Sequence, residues 1–280
     1  MLIHTIAEDC GIQIGRYERV PGGDINHAYC LHSNGTRYFL KINDELRYPQ
    51  MFAKETSGLA AIRDAFRQKV PAVIKHGAVE GTQYLLLEWL EPGTPRHGFW
   101  ERFGRAIAEM HRVEQPFFGW EEDNFIGSLI QTNGRHADWP TFYAQCRILP
   151  LVYRIAETGG FTPKDVKAAE KLCSKLGELY PPEQPSLLHG DLWSGNFVAT
   201  ADGSAAIYDP AVYYGHREMD IAMTRLFGGF PEEFYSAYNT VYPLAHGWEQ
   251  RMSLSQLYPL LVHAVLFGGR YVDSVRGIIA

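Results

Sequence analysis

Runs of lysine or arginine are missing from this 280-residue chain, in which 32 acidic residues outnumber 26 basic ones and leave a formal net charge of −6. Without a basic stripe there is little to track a phosphate backbone, which argues against nucleic acid as a main partner. Cysteine is scarce too. Cys10, Cys30, Cys146 and Cys173 are scattered and form no CxxC pair, which argues against a zinc site and fits free thiols in a reducing compartment. No segment approaches the roughly 20 apolar residues that span a bilayer, and the most apolar stretch, Leu254 to Gly269, is interrupted by Gln256, Pro259 and His263. The opening MLIHTIAEDCG lacks the basic start and long apolar run of a signal peptide. A cytoplasmic protein with no membrane partner is the expectation. Repeats and low-complexity tracts are also lacking.

What is present is an ordinary globular composition, 46% apolar and 21% charged, with 16 Tyr, 15 Phe and 6 Trp that suit an aromatic-rich core or a ring-lined pocket. Strand patterns crowd the first ninety residues: 14–20, 27–33, 36–42, 72–79 and 83–90. Asn34-Gly35 between the second and third is a strong hairpin signal, because both turn positions need φ > 0. One helix is expected from about Gln50 to Phe66. The segment Glu91-Pro92-Gly93-Thr94-Pro95 breaks the pattern and marks a boundary. Helices follow at about 99–113, 139–157, 163–179, 217–227, 231–241 and 249–275, with a short strand at 205–209 and an aromatic, polar loop over 117–140. This order predicts a two-lobed α+β protein: an N-lobe over 1–90, with five antiparallel strands and one main helix, and a helical C-lobe over 91–280.

The chemistry concentrates in LLHGDLWSGNF (187–197). Phosphoryl transfer from a nucleotide needs a cation on the phosphates, a carboxylate to hold that cation, oxygen ligands for a metal and a carboxylate for the acceptor hydroxyl. Candidates for each occur in a sensible order. Lys41 sits in the strand YFLKIN, where an ammonium among apolar neighbours needs a partner, and Glu55 on the next helix can provide it. Asp191 and Asn196 have the D-x-x-x-x-N spacing of a kinase catalytic loop. Asp209 ends IYD thirteen residues later. Each has a plainer reading alone: an edge lysine, a hydrogen-bonded turn, a strand-end cap. Order and spacing together support the phosphotransfer reading.

These motifs, with GGDINHAY (22–29), FLKIN (39–43), KETSGLAAI (54–62), LLLEWLEPG (85–93), AEMHR (108–112), FGWEEDNFIGS (118–128), IYDPAVYYGHREMDIAM (207–223) and LFGG (266–269), resemble the fructosamine kinase (ketosamine-3-kinase) family of protein-kinase-like phosphotransferases over nearly the whole chain. The HGD element alone is shared with aminoglycoside and choline kinases. The resemblance implies a protein-kinase-like fold, with ATP and Mg2+ as cofactors and a ketosamine or glycated amine as substrate. It implies that Asp191 is the catalytic base or hydroxyl-orienting group, that Asn196 and Asp209 bind magnesium, and that Lys41, paired with Glu55, holds the α and β phosphates. Gly22, Gly23 and Asn26 would cover the phosphates, and Glu88-Trp89-Leu90 would form the hinge at the adenine edge. Asp220 would order the catalytic loop, in which His189 stands where protein kinases have the histidine of HRD. Asp123, Asn124 and Phe125 would reach the acceptor. Trp193 would pack on a sugar or amine framework, or simply on a neighbouring helix. His216 and Glu218 read as structural, and His263 as a core histidine.

The chain departs from protein kinases in having PGGDIN instead of GxGxxG, and Gly190 where they carry the HRD arginine. The gap from Asp209 to Asp220 leaves no room for a long regulated loop, so a constitutively formed site is expected. Alternatives are an aminoglycoside-, choline- or homoserine-type kinase, or a nucleotide-binding module without catalysis.

Overall fold

The computed structural model describes residues 2–21 and 25–280. Gly22 and Gly23, expected over the phosphates, lie outside the described residues. Helix α1 (Leu2–Asp9) precedes the sheet formed by β1 (Arg16–Val20), β2 (His27–Ser33), β3 (Thr36–Asp44), β4 (Val73–Val79) and β5 (Thr82–Glu88), with α2 (Met51–Ala65) between β3 and β4. The five strands run antiparallel in the order β1-β2-β3-β5-β4. Asn34 and Gly35 take φ of 48° and 80°, the mirror-image turn that the right-handed twist of a hairpin favours.

Alternation along the strands divides the sheet into two faces. Ile3 and Ile6 of α1 pack on Leu31, Leu40, Ile42, Tyr84 and Leu86 of the outer face. Cross-strand pairing puts Val20, Ala28, Lys41 and Leu85 in one row of the opposite face, and Glu18, Cys30, Phe39 and Leu87 in the next. This second face looks toward the helical half of the chain.

Helix α3 (Phe99–Met110) follows, then the short hairpin β6 (Asn124–Ile126) and β7 (Leu129–Gln131). That hairpin lies inside the expected 117–140 loop. The expected helix over 139–157 is built from α4 (Trp139–Phe142), a π-helical turn (Tyr143–Ile148) and α5 (Leu149–Glu157). Arg147 in the π turn is fully buried, its guanidinium 4.2 Å from the Tyr213 ring centroid and 4.5 Å from that of Phe142. Helix α6 (Pro163–Cys173) starts on a Thr162/Asp165 capping box, and α7 (Leu176–Leu179) completes the expected 163–179 segment. Two small antiparallel ladders follow: β8 (Ser186–Leu188) pairs with β11 (Tyr213–Gly215), and β9 (Phe197–Ala199) with β10 (Ala205–Ile207). The remaining elements are α8 (Glu218–Leu226), α9 (Glu232–Val241), a 3-10 turn (Trp248–Arg251), α10 (Met252–Ser255), α11 (Leu257–Phe267) and α12 (Arg270–Ile279). No helix among the described residues is long and apolar enough to cross a membrane.

One apolar cluster joins the halves. Phe52, Leu59 and Ile62 of α2 meet Leu85 and Leu87 of β5, Phe103 and Ile107 of α3, and Ile207 at the end of β10. Each such side chain contributes roughly 1.5–3 kcal/mol when fully buried, so the sheet is seated firmly over the loops that follow β8 and β10.

Candidate active site

The loop from β8 to β9 is held from behind. Asp220, buried on α8, accepts backbone N–H bonds from His189 at 2.7 Å and Gly190 at 2.9 Å. It also meets His111 Nε2 at 3.2 Å, while His111 Nδ1 lies 2.8 Å from the Tyr238 hydroxyl. Burial pushes the Asp220 carboxyl up, but the bond from His111, the two neighbouring imidazoles and the Gly190 amide outweigh it and hold the group below its ordinary value. His189 is buried, with Nε2 donating to the Tyr208 carbonyl at 3.0 Å and Nδ1 accepting from the Asp191 amide at 3.3 Å. Burial lowers its pKa, in keeping with the neutral tautomer those bonds require. Gly190 has φ of 82°, and a Cβ there would stand 2.0 Å from the Ala211 carbonyl oxygen. No other residue type fits that position.

Asp191 and Asn196 face each other across this loop. The Asn196 amide nitrogen donates to the Asp191 backbone carbonyl at 2.9 Å and to its Oδ2 at 2.8 Å. Burial pushes the Asp191 carboxyl up to about 7; the Asn196 bond opposes this, and the Asp209 and Asp220 carboxylates add to it. Asp209 follows β10 with φ of 55°. Its Oδ1 receives Lys41 Nζ at 2.5 Å, and the same ammonium meets Glu55 Oε1 at 2.7 Å. Lys41 is only 4% exposed. Burial alone would lower its pKa, but the carboxylates of Asp209 and Glu55 reverse that and raise it. Glu55 is raised by its own burial against the pull of Lys41.

Two cavities meet at this cluster. One, about 460 Å³, is lined by Val20, Ala28, Phe39, Leu87, Val198 and Tyr208, and by Glu88, Trp89 and Leu90 at its back. The other, about 770 Å³, contains Asp191 and Glu55 and opens between Arg47, Lys54, Phe125, Phe227, His263 and Tyr271. Asn26, Lys41, Trp193, Asn196 and Asp209 line both. Asn26 is held there by Asn43, which donates to its Oδ1 at 2.8 Å. Trp193 stands edge-on to Phe227, centroids 5.6 Å apart, and a Cβ on Gly195 would come within 2.4 Å of its ring.

Several expected positions read differently in three dimensions. Within the hinge, the Glu88 amide donates to the Ala72 carbonyl at 2.8 Å and its carboxylate accepts from the Ala72 amide at 3.1 Å, so these two groups serve the sheet edge. Asp123 is exposed and accepts from the Asn133 amide at 2.8 Å, and it lines neither cavity. Asn124 reaches the larger cavity's wall, but its amide is spent on the Val212 carbonyl, Gln131 and Asn133. Phe125 alone of the three presents a free face. His263, expected in the core, is half-buried in the larger cavity with its ring 4.9 Å from Phe227 and 5.0 Å from Tyr271. His216 and Glu218 are buried outside the site, Glu218 in an ion pair with Arg251. The AEMHR motif also contains His111, whose link to Asp220 is visible only once α3 and α8 are packed.

A small antiparallel sheet above a mostly helical half, with a lysine–carboxylate pair beneath the sheet and a D-x-x-x-x-N loop facing it, defines a protein-kinase-like phosphotransferase. The aminoglycoside phosphotransferases share this fold: one crystallised with ADP and hygromycin B superposes with a TM-score of 0.65 at 14% identity, covering 98% of this chain and 96% of that one. The fructosamine kinase family model matches residues 3–280, and the chain belongs to that family. A candidate ketoamine kinase of Synechocystis sp. is 41% identical over 258 residues, 92% of this chain and 86% of the relative. The chloroplastic protein-ribulosamine 3-kinase of Oryza sativa subsp. indica is 36% identical over 279 residues, 98% and 80% of the two chains. The crystal structure of a candidate fructosamine-3-kinase from Thermobifida fusca has a TM-score of 0.88 at 37% identity, with 98% and 96% coverage.

Proposed function

We propose that this enzyme transfers the γ-phosphate of ATP to a hydroxyl of a ketosamine, the 3-hydroxyl of a ribulosamine or fructosamine, on a small molecule or a glycated amine of a protein. The observation that supports this reading is the pair of cavities sharing one polar wall. A nucleotide in the smaller cavity places its base among Val20, Ala28, Phe39 and Leu87, against the backbone of Trp89 and Leu90. Lys41 then carries the α and β phosphates, with Glu55 holding its ammonium in place. Asp191 faces only the larger cavity. There it orients the acceptor hydroxyl and takes its proton as the new oxygen–phosphorus bond forms and the bond to ADP breaks. Trp193 and Phe125 offer ring faces to the sugar.

The residues present fit a hard divalent cation. Both Asn196 N–H contacts go to Asp191, which leaves the amide oxygen as an acceptor, and Asp209 contributes carboxylate oxygens. Asn196 and Asp209 would hold magnesium, which supplies neutralising charge to the phosphates. The ion pair of Lys41 and Glu55 and the anchoring of the loop by Asp220 support a site built without a switch.

Phosphate transfer from ATP, measured across ribulosamines, fructosamines, aminoglycosides, choline and homoserine, tests the reading. Ketosamines are expected to lead, and Asp191→Asn to lower their turnover by roughly 10²–10⁴-fold while Mg-ATP still raises the melting temperature. Preference for choline, homoserine or an aminoglycoside, or an unimpaired Asp191→Asn, would overturn it.

A further inference from the structure

Away from the phosphoryl site, three side chains of β1 and β2 converge. Glu18 lies directly opposite Cys30 in the ladder, and His32 is two residues further along the same face. His32 Nε2 is 3.0 Å from Glu18 Oε1 and 3.6 Å from Cys30 Sγ. The thiol, imidazole and carboxylate atoms all lie within 4.8 Å of one another, the single such group among the described residues.

We propose that Glu18, Cys30 and His32 form a binding site for zinc or a similar thiophilic divalent ion. The spacing fits the chemistry. Zinc–sulfur and zinc–nitrogen bonds of about 2.3 and 2.0–2.1 Å, at a tetrahedral angle, put S and N about 3.6 Å apart; the observed separation is 3.6 Å. One imidazole nitrogen faces both other donors, so a single ion on its lone pair meets all three. Three protein ligands leave a fourth position for water, the arrangement of an open zinc site. A thiolate with an imidazole selects zinc over magnesium, which prefers oxygen alone. The missing CxxC pattern argued against zinc along the chain, but the sheet supplies by cross-strand pairing what the chain lacks.

The site adjoins the nucleotide cavity. Val20 and Ala28, which line that cavity, are the next residues along the same face, and Phe39, opposite Cys30, lines it too. Binding the ion releases the Cys30 proton to solvent, one per ion. Affinity therefore rises with pH.

Titration of the full chain with zinc against a chromophoric chelator, and with cobalt(II) as a spectroscopic probe, tests this without reference to kinase activity. One ion per chain and a thiolate-to-cobalt charge-transfer band are expected. Cys30→Ser should abolish the band and weaken zinc binding by at least about 100-fold, whereas a chain with Cys10, Cys146 and Cys173 all changed to Ser should keep both. Glu18→Gln, at an exposed position that leaves the fold intact, should weaken zinc binding and retain the band. Absence of stoichiometric zinc in the wild type, a band surviving Cys30→Ser, or unchanged affinity in Glu18→Gln would overturn the site.

Discussion

Replacing Lys41 with Met removes the cation between Glu55 and Asp209. Asp209 is 41% exposed in its side chain and can be rehydrated, whereas Glu55 is 11% exposed and cannot. Glu55 then escapes an uncompensated buried charge by taking up a proton. Doing so costs about 1.4 kcal/mol for each pH unit above its ordinary value of 4.5. The ceiling on the electrostatic loss is thus about 5 kcal/mol at pH 8 and under about 1 kcal/mol at pH 5. The sign follows from linkage: a carboxyl whose folded-state pKa is raised binds more protons folded than unfolded, so stability falls as pH rises above 4.5. Urea unfolding of Lys41→Met followed by tryptophan fluorescence should show a loss several-fold larger at pH 8 than at pH 5. Adding Glu55→Gln should recover most of it at pH 8, because the buried site is then neutral. Equal losses at both pH values, or no recovery in the double variant, would refute the account of this pair.

Asp191, with its carboxyl pushed up to about 7 by burial, gives two linked expectations. Turnover should fall about tenfold per pH unit below that value, as the base becomes protonated. Because a raised carboxyl costs stability as pH rises from 3.8 toward 7, Asp191→Asn should melt higher than wild type by a margin that widens over that window. Gly195→Ala should push the Trp193 ring off the wall common to both cavities, a displacement of the order of an ångström that should cost roughly 10²-fold in kcat/KM for the acceptor. Steady-state kinetics checks this, and unchanged constants would remove Trp193 from the binding surface.

The sheet was legible because its signals are local. Asn34-Gly35 announces a hairpin, and strand alternation survives in 27–33 and 36–42. The D-x-x-x-x-N step in 191–196 is local as well. What escaped is what packing decides. Helix α1 carries too short a pattern to stand alone and is stabilised by Ile3 and Ile6 against the sheet. The strands of the Asn124–Gln131 hairpin have three residues each, too few to show a period. Asp123 and Asn124 looked available because their polar groups are satisfied by partners at Asn133, Gln131 and Val212, which no spacing rule connects. His263 looked like core because α11 is apolar almost throughout, yet its ring lies on the face turned toward Phe227 and Tyr271. His111 and the Glu18–Cys30–His32 group show the same blind spot: their partners are across a helix pair or a strand pair.

Gly190 has a consequence for how this enzyme can be controlled. Protein kinases place at this position the arginine through which a phosphorylated loop reports to the catalytic aspartate, as the chain's resemblance to them implies. Here that route is closed twice, by a left-handed backbone and by a carbonyl oxygen 2.0 Å from where the first side-chain atom would stand. An arginine substituted here fits only if the backbone at Ala211 moves, and Ala211 is tied to His189 by a 2.9 Å bond. A phosphorylated segment would therefore need a route to Asp191 that does not run through a side chain at this position.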